Sequence, residues 1–76
     1  MEPANKLSTL TARERDVLNL VIQGYSNDEI RFVLCCSISN VKFHISNIML
    51  KLDAKSRTHA AYIAGCEGFI VGEPIS

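Results

Sequence analysis

Two helix-start signals only fifteen residues apart constrain this chain more than any other feature. Thr11-Ala12-Arg13-Glu14 and Ser26-Asn27-Asp28-Glu29 are both capping boxes. In each, the hydroxyl and the carboxylate satisfy two of the backbone amides that a helix start leaves free. Gly24 falls between them as a left-handed stop. The chain is therefore committed to short helices joined by tight turns.

Apolar residues then recur at helical spacing. Val17, Leu18, Val21 and Ile22 make the buried stripe of a first helix, and Ile30, Val33 and Leu34 that of a short second helix ending around Cys35. Ser37 caps a third. At 100° per residue Val41, Ile45, Ile48 and Leu52 share one face. Ser39, Lys42, Phe43, Ser46 and Leu50 share the opposite face, with Asn47 at its edge. Ser56 caps a fourth helix with Ala60, Ile63 and Ala64 inward, and Gly68 ends it. Phe69 and Ile70 are expected to dock back on the core. The fold class is all-α: a compact four-helix domain over about 9–71, with loose tails at 1–8 and 72–76.

Seventy-six residues allow one domain. A chain this small buries only about 60% of the surface it exposes when unfolded. No apolar stretch is long enough to span a membrane, and the start lacks the basic-then-apolar order of a secretory signal. Cys35, Cys36 and Cys66 have no CxxC spacing, which points to a reducing, cytoplasmic setting and to small apolar residues rather than metal ligands. Net charge is zero, but it is unevenly distributed. Residues 1–30 set Glu2, Glu14, Asp16, Asp28 and Glu29 against Lys6, Arg13 and Arg15, a balance of −2. Residues 31–66 set Arg31, Lys42, Lys51, Lys55 and Arg57 against Asp53, a balance of +4. Glu67 and Glu73 return −2. The positive field is concentrated in the middle and later part of the chain, a surplus that is still ordinary for a solvated surface.

Two helices joined by a tight turn, the second with a solvent-facing polar stripe, form a helix-turn-helix candidate at about 26–45. LTARERDVLNLVIQGYSNDEI, then VKFHISNIMLKL, then KSR, resembles the LuxR/GerE-type DNA-binding domain from about Leu10 to Ile70. The matching elements are T-x-R-E-R, G-x-S-N-x-E-I, V-K-x-H, N-I-x-x-K-L and S-R. The resemblance implies binding of double-stranded DNA for transcriptional regulation, commonly by a homodimer on an inverted repeat. It places the recognition helix at about Ile38–Leu52 and a dimer contact on the outer face of the last helix. VKFHISN with CS before it looks closer to the quorum-sensing branch than to response regulators. There are departures: Asn40 where threonine is usual, Ile38 where a polar residue is common, Cys35 in place of a turn residue, and Ser46 at a position often basic. Fewer basic contacts imply a gentler salt dependence.

Within that resemblance Lys42 is placed to reach guanine O6 and N7, and Phe43 a thymine methyl. Ser39 and Ser46 are the further candidate base contacts. Ser26, Asn27, Ser37 and Asn40 are candidate phosphate contacts as well as caps. Asn47 and Lys51 join the candidate DNA-backbone set, although Lys51, Lys55 and Arg57 suit solvated charges or internal ion pairs equally. His59, Tyr62 and Cys66 are candidates for the dimer surface, and His44 is expected in a structural hydrogen bond. No glycine loop, paired carboxylates or metal spacing suggests an enzyme, and no cofactor is implied. The competing reading is an interaction module that pairs with another regulator or RNA polymerase. The neutral charge, Ile38, Phe43 and Leu50 fit it. A contiguous apolar outer patch would favour it.

Overall fold

The computed structural model describes residues 6–68. A 3-10 turn, Lys6–Thr9, leads into α1 (Ala12–Ile22), α2 (Asn27–Leu34), α3 (Ile38–Leu52) and α4 (Arg57–Cys66). All four α-helices begin where their cap residues predict. Glu14 N–H donates to Thr11 Oγ1 (3.1 Å) and Thr11 N–H to Glu14 Oε1 (2.9 Å). Ser26 and Glu29 repeat the arrangement at 2.8 and 3.1 Å. Ser37 Oγ accepts from Asn40 N–H, and Ser56 Oγ from His59 N–H. Each such cap contributes about 1 kcal/mol.

The stops of α1, α2 and α3 share one device. Gly24, Cys35 and Asp53 are left-handed (φ 91°, 55° and 56°). The next amide, of Tyr25, Cys36 or Ala54, then donates to the carbonyl five residues back, at Leu20, Arg31 or Met49. This is the Schellman closure that occupies free carbonyls at a helix end. Glycine adopts the conformation without strain; at Cys35 and Asp53 a Cβ makes it costly.

The expected stripe of α3 is the centre of the core, with Val41, Ile45, Ile48 and Leu52 all buried. Ile30, Leu34, Ala60 and Ala64 pack with it, while Val33 and Ile63 are only partly buried. α1 buries more than the expected stripe. Val17 and Leu18 are enclosed, Val21 and Ile22 partly so, and Leu20, outside that stripe, is also fully buried. The reason is position: α1 packs against α2, α3 and α4, so an arc wider than one stripe is covered.

The loose segment expected over 1–8 is a correction at its inner end. Leu7 and Leu10 are buried core residues, and the 3-10 turn seats Leu7 against α3. An apolar side chain just ahead of a capped helix gains about 1.5–3 kcal/mol by burial, enough to order a short turn. Residues 1–5 and the expected docking of Phe69 and Ile70 lie outside the described residues, as does the 72–76 segment.

Candidate nucleic-acid interface

α2 and α3 meet at a turn of 107°, with Cys35, Cys36 and Ser37 between them. The left-handed Cys35 makes the reversal and Ser37 starts the next helix. With its aliphatic stripe against α1, α2 and α4, α3 turns Ser39, Lys42, Phe43, Ser46 and Leu50 to solvent, as the helical period requires. Phe43 is 61% and Leu50 78% exposed. Asn40 is exposed beside them, and Asn47 and Ile38 are half-buried at the edges. The four expected base-contact residues therefore share one open face.

The charges divide differently from the sequence expectation. Lys42 is exposed and has no ion pair among the described residues. Lys51, expected in the DNA-backbone set or in an internal ion pair, has its ammonium 2.7 Å from Glu14 Oε1, with its side chain still 34% exposed. Arg57 is also engaged internally, donating to Asn27 Oδ1 and to the Tyr25 carbonyl oxygen (3.1 Å). Arg31 pairs with Asp28 at 3.0 Å. Of the five cations between residues 31 and 66, Lys51 and Arg57 thus tie one element to another, while Arg31 pairs on the surface of α2. For Lys51 and Arg57 a charge count along the sequence could not find these partners, because each lies on a different element.

Glu14 is the one buried charged side chain among the described residues. Burial pushes its carboxyl upward, but the Lys51 hydrogen bond, the Thr11 amide and the charges of Lys51 and His44 outweigh it, so its pKa lies below the ordinary value. His44 departs from expectation: its Nδ1 is buried without a hydrogen-bond partner. The ring meets Phe43 edge-on instead, with centroids 5.8 Å apart.

At the α2 start, Ser26 acts as the expected cap, and Asn27 has its side-chain oxygen held by Arg57. An amide whose oxygen accepts from a guanidinium keeps its NH2 as donor. On α4, Tyr62 and Cys66 are exposed, and the hydrogen bond that the Tyr62 hydroxyl donates to the Cys66 sulfur raises the phenol's pKa. His59, expected beside them, is half-buried, and its Nδ1 accepts from Lys55 N–H (3.0 Å). It braces the loop ahead of α4. Phe32, 80% exposed on the outer side of α2, has no assignment in the sequence reading. The wheel that turns Ile30 and Leu34 inward would have placed it outside. Among the described residues no three His, Cys, Asp or Glu side chains gather as a metal site. Among the described residues no single helix is long and apolar enough to cross a membrane.

A capped helix, a left-handed turn and a second helix with an open polar face define a helix-turn-helix domain, the class that serves transcriptional regulation by DNA binding. The family model described as "Bacterial regulatory proteins, luxR family" matches residues 8–64, most of the chain. The chain belongs to the luxR family of bacterial regulatory proteins. It is 46% identical over 55 residues to the response regulator protein VraR of Staphylococcus aureus strain Mu3. The same identity and length hold for the VraR proteins of Staphylococcus saprophyticus and Staphylococcus epidermidis. The match covers 72% of this chain but only 26% of each relative. These relatives are response regulators by name, and they give the quorum-sensing subdivision no support.

Proposed function

We propose that the chain regulates transcription by reading double-stranded DNA in the major groove with the outer face of α3. The observation that carries this is the arrangement of that helix: four aliphatic side chains enclosed on one side, and Ser39, unpaired Lys42, Phe43 and Ser46 open on the other. Lys42 is suited to guanine O6 and N7 and Phe43 to a thymine methyl, with Ser39 and Ser46 at neighbouring base edges. Ser26, Asn27, Ser37, Asn40 and Asn47 flank them and suit phosphate oxygens. Hydroxyls already used as cap acceptors still have a proton to donate. Asn27 presents its NH2 because Arg57 occupies its oxygen. A second copy pairing through Tyr62 and Cys66 on α4 would place two such helices on an inverted repeat. The setting that suits this work is the cytoplasm.

Fluorescence anisotropy of a labelled mixed-sequence duplex, titrated at several salt concentrations, tests the reading, with Lys42→Glu as the control. Binding that weakens with salt and is lost in the variant supports it. A folded chain that binds no duplex at low salt overturns it. That result would favour a protein partner, another regulator or RNA polymerase, for the face that exposes Phe43 and Leu50.

A further inference from the structure

The inner stripe of α3 determines which side of the helix faces the core. Aliphatic contacts are non-directional, however, and tolerate small slides and rolls of the helix. Base reading does not: side chains that recognise a ligand must be held to within about 0.5 Å. A directional tie is needed, and the described residues contain one between α1 and α3.

That tie is Glu14. Its Oε1 accepts the Thr11 amide at 2.9 Å and the Lys51 ammonium at 2.7 Å. The Glu14 side chain is 5% exposed and that of Lys51 34%. The capping box fixes the carboxylate on α1, so Lys51, in the last turn of α3, is drawn to a fixed point. Ser46 and Lys42 lie five and nine residues before it on the same rigid helix. We propose that Glu14, acting through Lys51, is a positioning residue for base reading: the pair sets the roll and register of α3 against α1, and so the aim of Lys42, Phe43 and Ser46. This rests on the DNA reading above and adds to it a residue that touches no DNA.

The test needs a readout that stability alone does not move. A duplex enriched from a randomised library by the native 76-residue chain is compared with a mixed-sequence duplex, and the ratio of the two affinities is recorded. Lost stability lowers the folded fraction and weakens both duplexes alike, leaving the ratio unchanged. Glu14→Gln keeps an acceptor for the Thr11 amide and removes the ionic tie. Glu14→Gln/Lys51→Met removes the tie without stranding a buried charge, and serves if the single variant fails to fold.

The ratio is expected to fall about ten-fold in either variant, the scale of one misdirected base contact. The salt slope on the mixed duplex should stay native. An unchanged ratio in both variants makes the pair a stability brace only and overturns the proposal. A slope shallower by about one in the double variant also overturns it, because Lys51 would then hold a phosphate itself. A native chain that enriches no sequence fails the DNA reading, and this inference with it. That outcome is distinct from enrichment with an unaltered ratio.

Discussion

Arg57, the first residue of α4, grips the start of α2 from thirty residues away: one guanidinium nitrogen donates to Asn27 Oδ1 and another to the Tyr25 carbonyl oxygen. A guanidinium presents its donors in a fixed fork, which a lysine cannot reproduce. Arg57→Ala is expected to cost about 1.5 kcal/mol, the lower end for hydrogen bonds to a charged group, since the site is only partly buried. Arg57→Lys should recover less than half of it. Urea unfolding midpoints at unchanged slope measure both. A loss below about 0.5 kcal/mol for alanine would mean that the clamp is idle in solution.

Cys35 turns the chain between α2 and α3 at φ 55°. A left-handed residue with a Cβ carries about 1–2 kcal/mol of strain, part of which glycine gives back in unfolded-state entropy. Cys35→Gly should therefore stabilise the chain by about 0.5–1 kcal/mol. Asp53→Gly, at φ 56°, should gain less, because aspartate tolerates this region better. Thermal unfolding of the two variants beside the native chain settles the order, and a destabilised Cys35→Gly contradicts it.

Acid stability should depend on Glu14. Its folded pKa lies below its unfolded one, with burial opposing the shift and the Lys51 and Thr11 hydrogen bonds overcoming it. The contribution is then complete above the ordinary glutamate pKa and is lost as pH falls through the lowered value. Glu14→Gln should flatten the acid limb of the stability curve relative to the native chain. An unaltered limb would show that other carboxylates govern acid unfolding.

Ser46 stands exposed one turn beyond Lys42. Ser46→Lys should tighten binding to a mixed-sequence duplex and steepen its salt slope by about one, since a lysine is long enough to reach a phosphate beside the groove. Anisotropy titrations across salt concentration read the slope directly. An unchanged slope together with unchanged affinity would place residue 46 away from the DNA.

Elements governed by local chemistry were legible in the sequence. Thr11, Ser26, Ser37 and Ser56 announce their helices because capping is decided within three residues. The α3 stripe could be read because one helical period decides it. Leu20 and Leu7 were not, since their burial depends on how many elements surround α1 and α3. The partners of Lys51 and Arg57 were hidden for the same reason: Glu14 is thirty-seven residues from one, and Asn27 thirty from the other. A charge count treats both as free cations. The positions of Lys42 and Phe43 on an open face followed from the period alone, and their partners remain the content of the functional proposal.

The most direct test of that proposal is a map of the surface DNA touches, by amide chemical shifts of the isotope-labelled chain titrated with a short duplex. Changes are expected to concentrate from Ser37 through Ser46, with a smaller group at Ser26 and Asn27 and little on the outer side of α4. Changes centred on α4 or on Phe32, with the Ser39–Ser46 amides unmoved, would contradict it.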